Sequence, residues 1–378
     1  RRTKANNADG NGRGDFFYTP PSGYLALCSA NLPEPTISPL NGDQPSDHFN
    51  NVLWTGNGGT NAITGVGFQP DLVWGKDRTG TDNHHLFDAI RGTNIRLISN
   101  QTTAENTEVN CLNSFDADGF TLGSNTGLNN TGDLHVAWNW LGANGTTSNG
   151  DGDITSTVSA NTTAGFSIVT WTHSGGNGQT IGHGLGATPS CIIAKNRSTS
   201  GAWVIGHSEA SFNWTNDYYQ FDTTAKRTDG GGTVFGASPT SSLFTFGTAA
   251  GGDGDNHVAY CFAEVEGYSR VGLYYGNNNA DGPFVYTGFR PAYVMIKVTT
   301  GTDHWIIYDK ERSNGHNPTD DILKADSSAA EAANDSQAID FLSNGFKMRS
   351  NSSGTNDSPA TYIYLCFAEM PFKYANAK

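Results

Sequence analysis

The sequence predicts an all-β protein made of tandem antiparallel β-sandwich repeats of a jelly-roll or lectin-like kind. Aromatic and β-branched residues occur in short runs separated by turns rich in Gly, Asn and Thr, which is the pattern of many short strands. Related segments recur three times along the chain. The long helical crossovers that a parallel α/β sheet would need between its strands are absent from the pattern.

The repeat is clearest in three segments, GFQPDLVWGK, GLGATPSCIIAK and GFRPAYVMIK, each of which carries a Pro six residues before its final Lys. The three lysines and the residues eight positions beyond them are Lys76 and His84, Lys195 and Trp203, and Lys297 and Trp305. The first and third copies also share the register of Asp88 and Asp309, Arg91 and Arg312, and Glu105 and Glu331. Each copy closes on a strong strand, HVAWNW, HVAYCFAE or YIYLCFAE. Agreement over so many offsets indicates three diverged copies of one unit.

A Gly- and Thr-bearing hairpin turn separates each Lys from the residue eight positions later. We therefore predict two structural pairs, Lys195 with Trp203 and Lys297 with Trp305, lying opposite or diagonal across two antiparallel strands. Such a pair lets the Lys stem cover the aromatic ring, with a cation–π contribution of about 0.5–1 kcal/mol at an exposed site.

Polar, Gly-rich linkers divide the chain into an extended N-terminal segment at 1–50 and β-sandwich repeats at 51–145, 146–273 and 274–378. We expect each repeat to bury its own core and the three to form an elongated rod. In the third repeat, Ser327 or Ser328 as N-cap with Glu331 near the third helical position predicts a short helix.

The composition excludes several classes of function. The net charge is −14 and no Lys/Arg cluster follows the one at residues 1–4, so neither nucleic acid nor an anionic membrane surface is an expected partner. No apolar run approaches the roughly 18 residues of a spanning helix, so membrane insertion is not expected either. The chain starts at Arg1 without an initiator Met, which suggests a mature product or the C-terminal part of a longer protein.

The five cysteines include no CxxC pair, which leaves zinc and thioredoxin-like sites without support. Their odd number argues against a disulfide framework and favours synthesis in a reducing cytoplasm. Cys191, Cys261 and Cys366 lie in apolar strand-like runs, where a free thiol behaves as a small buried hydrophobe.

Candidate metal ligands are Asp9 and Asn11, in a stretch like the start of a calcium loop, and Asp151 with Asp153. The bidentate Glu of a calcium loop is missing, since Tyr18 stands at its position. Asx- and Gly-rich turns are the ordinary reason for such runs. A calcium ion at these turns and a purely structural turn both stay open, and no other cofactor is predicted.

No catalytic residue is assigned, and we predict that the protein is not an enzyme. His84 and His85 could form a metal or acid–base group with Asp88, but tryptophan fills the His84 position in the other copies, which indicates a packing position. The carboxylates Glu264 and Glu369 are equivalent residues in separate repeats, so they do not form the pair that a glycosidase needs.

The N-terminal run GDFFYTPPSGYLALCSANLPEP (14–35) resembles the C-terminal end of a SPRY-type β-sandwich found in phage structural proteins. The run HFNNVLWTGNGGTNAITGVGFQPDLVW (48–74) is similar to a repeat module that follows such domains in virion proteins of marine and cyanobacterial phages. HHLFDAIRG, FDADGFTLG, HVAYCFAEVEGYSRVG and YLCFAEMPFKYANAK fit the same pattern. The resemblance implies a tail-fibre, appendage or surface protein located in the virion, with no catalytic residues to carry over.

The leading hypothesis is therefore a virion structural protein that contacts other virion proteins and binds a host-receptor glycan. We expect a homo-oligomer, a trimer in the first place, because phage appendages are commonly trimers and a lean core gains from self-association. The alternative is a lectin-like module of an extracellular or cell-surface bacterial protein, binding glycans through exposed aromatics, for which Trp171, Trp214, Tyr218 and Tyr219 are the candidates. A glycan-degrading enzyme is the third possibility and needs a carboxylate pair in a cleft.

Overall fold

The fold is described from a computed structural model that covers residues 5–248, 251–313, 315–333 and 335–376. The basic cluster at residues 1–4 lies outside this range. Nearly all of the regular structure is β, in several antiparallel sheets, which confirms the predicted fold class. None of the helices in the described ranges is long and apolar enough to cross a membrane.

The N-terminal segment is held by local turns. Its short 3-10 helices are Ser29–Asn31, Pro39–Asn41 and Pro45–Asp47. An isolated bridge joins Asn7 to Phe16. Further along, the Lys373 ammonium donates to the Leu32 carbonyl, so the N-terminal segment is tied to the C-terminal end of the chain.

The first repeat forms a large and a small sheet. Its elements are β1 (Phe49–Thr55), β2 (Asn61–Thr64), β3 (Leu72–Asp77), β4 (His85–Asp88), β5 (Ile95–Ile98), β6 (Asn106–Thr107), β7 (Leu112–Asp116), β8 (Gly119–Leu122), α1 (Thr126–Asn129) and β9 (Leu134–Trp140). The large sheet has the order β1-β9-β3-β4-β5-β6, and the small sheet has the order β2-β8-β7. Val73 and Ala137 from the large sheet pack with Ile63 and Phe120 from the small one, so the unit is a two-layer sandwich.

The second repeat follows the same plan with two added strands. Its elements are β10 (Thr147–Asn149), β11 (Ser156–Asn161), β12 (Phe166–Thr172), β13 (Gln179–Gly182), β14 (Cys191–Asn196), β15 (Val204–His207), β16 (Asp217–Gln220), β17 (Thr228–Asp229), β18 (Leu243–Phe246) and β19 (Asn256–Phe262). The large sheet has the order β10-β11-β12-β19-β14-β15-β16-β17, and β13 pairs with β18 in the small sheet. Strands β10 and β11 extend the edge that β1 leaves open in the first repeat.

The third repeat returns to the plan of the first. Its elements are β20 (Ser269–Tyr275), β21 (Phe284–Tyr286), β22 (Phe289–Val298), β23 (Ile306–Asp309), β24 (Asp321–Lys324), β25 (Ala332–Ala333), a 3-10 helix (Asp335–Gln337), β26 (Ile339–Leu342), β27 (Gly345–Met348) and β28 (Thr361–Pro371). The large sheet has the order β20-β28-β22-β23-β24-β25, and the small sheet has the order β21-β27-β26. The large sheets of the three repeats therefore share one strand order, as the predicted duplication requires, while the small sheet of the second repeat has two described strands where the others have three.

Two local predictions are wrong. The repeat boundary placed after residue 273 falls inside β20, which pairs along its whole length with β28, so the third repeat starts earlier in the chain. The helix predicted at Ser327 or Ser328 does not form, and β25 follows instead. The helix is replaced because of a tertiary contact. The Glu331 amide donates to the Arg78 carbonyl of the first repeat and holds this segment extended.

The three sandwiches do not form a rod. The closing strand of each repeat carries an aromatic residue four positions beyond the residue that faces the shared lysine; these are Trp140, Phe262 and Phe367. Their ring centroids form a closed triangle with sides of 6.2, 5.7 and 5.6 Å. The large sheets therefore face one another around a pseudo-threefold axis, and the predicted elongated arrangement is wrong.

This arrangement buries the large sheets on both faces. In β22, Tyr293 and Met295 join the core shared by the three repeats, while Val294 and Ile296 join the core of their own sandwich. Alternating residues of one strand thus serve two different cores, because successive side chains of a strand point to opposite faces. All ten residues of β22 are buried for this reason.

Candidate functional site

The repeats meet at three contacts, here called junctions. Lys195 lies at the junction of the first and second repeats, Lys297 at that of the second and third, and Lys76 near that of the third and first. Lys76, Lys195 and Lys297 are fully buried. The Lys195 ammonium donates to the Gly201 carbonyl of its own hairpin (2.8 Å) and to the Thr102 carbonyl of the first repeat (3.0 Å). Burial lowers the pKa of all three lysines to about 8.

Lys297 repeats this arrangement at the junction between the second and third repeats. Its ammonium donates to the Thr224 carbonyl of the second repeat at 2.8 Å and to the Asp303 carbonyl of its own hairpin. Thr102 and Thr224 occupy equivalent positions, each three residues before the junction residues Glu105 and Arg227. Lys195 and Lys297 therefore join a hairpin to the neighbouring repeat through backbone acceptors, whereas the Lys76 ammonium donates to the Asp77 and Gly80 carbonyls of its own hairpin.

The strand register agrees with both predicted Lys–Trp pairs, and a contact of the ammonium with the ring is seen for Lys297. Ile296 pairs with Ile306, which places Lys297 opposite Trp305, and the ammonium lies 6.0 Å from the centroid of the indole. The register of Ala194 with Val204 places Lys195 opposite Trp203 in the same way.

The residue eight positions beyond each lysine also crosses a junction. The Trp203 indole donates to the Ile98 carbonyl at 2.8 Å, and the Trp305 indole donates to the Gln220 carbonyl at 2.9 Å. Ile98 ends β5 and Gln220 ends β16, so the two acceptors are equivalent. The second repeat thus donates to the first, and the third donates to the second, at the end of the same strand.

His84 makes the third contact of this kind. Its Nδ1 accepts from the Trp74 indole at 2.9 Å, so Nε2 carries the proton and donates to the Lys324 carbonyl at 2.9 Å. Burial holds the pKa of His84 well below its usual value, which keeps the ring neutral. Burial also lowers the pKa of His85 to about 3. Both rings are enclosed and offer no group that a solute can reach.

Two buried ion pairs sit beside the junctions. Arg91 pairs with Asp88, and Arg312 pairs with Asp309, with all four side chains buried. Each carboxylate also accepts from the neighbouring repeat. The Tyr260 hydroxyl donates to Asp88 at 2.9 Å, and the Trp138 indole donates to Asp309 at 2.9 Å. The charge of each carboxylate is thus balanced inside the molecule, and its remaining acceptor sites bind the adjacent repeat.

Arginine–glutamate forks close two of the three junctions. The Arg197 guanidinium donates to Glu105 at 2.8 and 2.9 Å, and the Arg78 guanidinium donates to Glu331 at 2.6–3.1 Å. The bidentate geometry fixes both position and orientation. The equal offsets of Glu105 and Glu331 in the sequence signalled their equivalence but not their partners.

The junction between the second and third repeats lacks the fork. Arg227 stands where the other repeats have glutamate, and Thr299 stands where they have arginine, although the backbone bond from the Arg227 amide to the Thr299 carbonyl remains at 3.4 Å. Arg227 pairs instead with Glu209 of its own repeat at 2.6 Å. The backbone geometry of the junction is therefore retained while its charges have changed.

The aromatic residues predicted to be exposed for glycan binding are mostly buried. Trp171 stacks on His257 at 5.1 Å, and Trp214 packs between Phe212 and Phe235. Tyr219 is fully buried and its hydroxyl donates to Glu209. The prediction of exposure is wrong for these three because composition does not distinguish a core aromatic from a surface one. Only Tyr218 is partly accessible.

The Asp9 carboxylate stabilises a turn, and its oxygens are occupied by hydrogen bonds. It accepts from the amides of Asn11, Arg13 and Ala26 and from the Asn31 side chain, at 2.7–2.9 Å. These hydrogen bonds, that of Ala26 foremost, lower its pKa to about 2.

The second acidic candidate has the same character. Asp153 accepts from the amide and hydroxyl of Thr180, while Asp151 accepts from the side chain of Asn149. In the described ranges, no three His, Cys, Asp or Glu side chains are grouped so that they could hold a metal ion. The turn interpretation of these runs is therefore the one that the hydrogen bonds support.

A surface cleft of about 340 Å³ lies between the third repeat and the terminal segments. Its lining includes Pro35, Glu264, Glu266, Arg270, Tyr286 and Lys373. Tyr286 is 59% exposed and forms an aromatic wall. Glu264 lies 3.5 Å from Arg270, while Lys373 lies 3.0 Å from Glu34. We call this feature the Tyr286 cleft.

Sequence reasoning missed Tyr286 and its neighbour Phe284. The signal was present, since PFVYTG in the third copy places aromatics where the first copy has NAITGVG and the second has QTIGHG. The strong motifs of the repeat mark core and junction positions. The aromatic pair is a difference between copies, which a comparison of shared residues does not reveal.

A family model described as "Domain of unknown function (DUF7483)" matches residues 44–371. No curated protein matches the sequence, and no solved structure matches the chain. The matched region begins just before β1 and ends with β28, so it contains all three repeats and leaves out most of the N-terminal segment.

Proposed function

We propose that this chain, which belongs to the DUF7483 family, is a structural component of a virion, a tail-fibre, appendage or particle-surface protein, and is not an enzyme. The family description assigns no activity. The proposal draws on the phage-like motifs of the sequence and on the use that the structure makes of its reactive side chains.

One observation carries the proposal. The ionisable groups that the repeats share are buried at the junctions, where they bind backbone carbonyls or one another. A catalytic group has to reach its substrate, whereas a buried and saturated group stabilises a fixed shape. The lysines, the Asp–Arg pairs and His84 all belong to the second kind.

The distribution of loops supports a display role. The strands of each repeat pack into the hydrophobic core, whereas the Asn- and Gly-rich loops between them lie at the surface. Binding residues commonly lie on loops held by a rigid scaffold. A closed ring of three sandwiches suits a component that must keep its shape while its loops contact other virion proteins or a host surface.

The predicted homo-trimer remains a proposal, and the structure narrows where its contacts would lie. The ring already covers inside one chain many of the apolar faces that the trimer was expected to bury. Strands β1 and β20 are the outermost strands of their large sheets, whereas β11 and β10 cover the same edge in the second repeat. Pairing at β1 or β20 is therefore the contact that we propose for a further subunit. Light scattering should give the mass of three chains, and a single-chain mass would contradict the trimer.

Mass spectrometry of gradient-purified particles tests the virion assignment. We expect the chain to co-sediment with intact particles in a fixed ratio to the major structural proteins and to persist through a high-salt wash. Its absence from intact particles, with the protein found only in the soluble fraction of the lysate, would contradict the assignment.

A further inference from the structure

We propose that the Tyr286 cleft binds a sugar ring of a neutral polysaccharide, with Tyr286 as the stacking platform. The inference rests on the proposed surface role and assigns the glycan site that this role leaves open. It is independent of the aromatics Trp171, Trp214 and Tyr219, which are buried.

The pseudo-threefold symmetry of the chain supplies an internal comparison. Ile63, Ile181 and Val285 are equivalent, because they pair with Phe120, Phe244 and Phe346 in the small sheets. The positions on either side of this residue are Ala62 and Thr64 in the first repeat, Thr180 and Gly182 in the second, and Phe284 and Tyr286 in the third. The third repeat alone has aromatic rings there.

The rings of β21 are on the surface. Phe284 is 46% exposed and Tyr286 is 59% exposed, whereas Val285 between them is buried. Residues two apart on a strand share one face and lie about 7 Å apart. Contiguous exposed apolar surface is a common mark of a binding site, and two aromatic rings on one sheet face provide such a surface.

The glycines beside Tyr286 are shared with the first repeat. Gly288 has φ of +87° and the equivalent Gly67 has φ of +89°, values that an L-residue rarely adopts. Gly345 pairs with Tyr286 as Gly119 pairs with Thr64. The aromatic rings are therefore what distinguishes this place in the third repeat, on a backbone of the same shape.

The charges of the cleft favour a neutral ligand. Arg270 lies 3.5 Å from Glu264 and Lys373 lies 3.0 Å from Glu34, so each of these cations already faces a carboxylate. Glu266 is exposed and adds negative charge to a protein whose net charge is −14. An acidic sugar would be repelled, whereas the hydroxyls of a neutral sugar can donate to these carboxylates while its C–H face lies on the ring.

A basic peptide is the competing occupant, since an ammonium group can also lie on an aromatic face beside carboxylates. The size of the cleft and the pairing of Glu264 argue against it. A chain of lysines would have to compete with Arg270 for the same carboxylate, whereas a sugar hydroxyl can share it.

Affinity electrophoresis provides the test. Native gels containing dextran, mannan or galactan are run with the full chain, Tyr286→Ala and Thr64→Ala, the last being the matched substitution at the equivalent exposed position of the first repeat. We expect at least one polysaccharide to retard the full chain and Thr64→Ala equally. Tyr286→Ala should lose about tenfold in affinity, equivalent to about 1.4 kcal/mol.

Because Tyr286 is exposed, its variant should melt with the full chain, and matching melting temperatures confirm that folding is intact. Equal retardation of Tyr286→Ala and the full chain would overturn the site, as would no retardation in any of the three gels. Binding that depends on Tyr286 but is seen only with oligolysine would favour the basic peptide and contradict the proposal. These outcomes leave the virion assignment standing, because only absence from particles contradicts that assignment.

Discussion

Three lysines at equivalent positions are buried and donate to carbonyl oxygens. An ammonium group taken out of water carries a large desolvation cost, which explains why the pKa of Lys195 falls to about 8. A lysine in the unfolded chain has a pKa near 10.4. Between about pH 8 and 10.4 the unfolded chain therefore binds a proton that the folded chain lacks, and the contribution of Lys195 to the free energy of unfolding rises with pH.

Lys195→Met tests this at the residue scale. At pH 7 the variant should be less stable by about 1–3 kcal/mol, because the Thr102 and Gly201 carbonyls lose their donor. The gap between native chain and variant should widen on the order of 1–3 kcal/mol from pH 8 to pH 10. Denaturant unfolding at several pH values measures it. Lys226→Met, at an exposed lysine, is the control, and an equal pH dependence for both variants would refute the assignment.

At the scale of elements, the hairpin and strand pattern of the repeat followed from the sequence. The eight-residue spacing from Lys297 to Trp305 predicted that they face each other, and the register places them so. The acceptors that these side chains reach could not be predicted. Gln220, which accepts from Trp305, is 85 residues away and contributes only its backbone carbonyl, which leaves no mark on residue type.

Tertiary contacts also overrode local signals. The capping pattern before Glu331 favours a helix, yet the Arg78 fork and the backbone bond to Arg78 hold the segment extended across a junction. The candidate glycan aromatics failed for a related reason. A strand buried on both faces places aromatics on either side, so alternation no longer tells an exposed Trp171 from a buried one.

The forks at two junctions make a prediction at this scale. Glu331 accepts from Arg78 across the junction and from the fully buried Arg312 at 3.0 Å. Glu331→Gln removes the charge that these guanidinium groups share and should lower the free energy of unfolding by about 1–3 kcal/mol.

The control for this variant is Glu311→Gln. Glu311 lies 3.5 Å from Lys310 and is 43% exposed, so its loss should change stability by no more than about 0.5 kcal/mol. Urea unfolding of both variants compares them directly. Equal effects of the two substitutions would show that the junction fork adds no more than a surface ion pair.

At the scale of the whole molecule, the chain closes its three repeats into one ring. Trp140, Phe262 and Phe367 meet at the axis, and each junction adds backbone and side-chain bonds between repeats distant in sequence. The sequence revealed three copies but not their arrangement, because copies in a rod and in a ring share the same strand pattern. The ring differs from the rod because it buries both faces of each large sheet.

Small-angle X-ray scattering of the dilute protein, with the mass of the scattering species fixed by light scattering, tests this closure most directly. A closed ring of 378 residues should give a globular profile, with a radius of gyration of about 21 Å if the species is one chain and about 32 Å if it is the proposed trimer. A clearly larger radius with the profile of an elongated rod would contradict the ring and, with it, the junctions on which the proposed function depends.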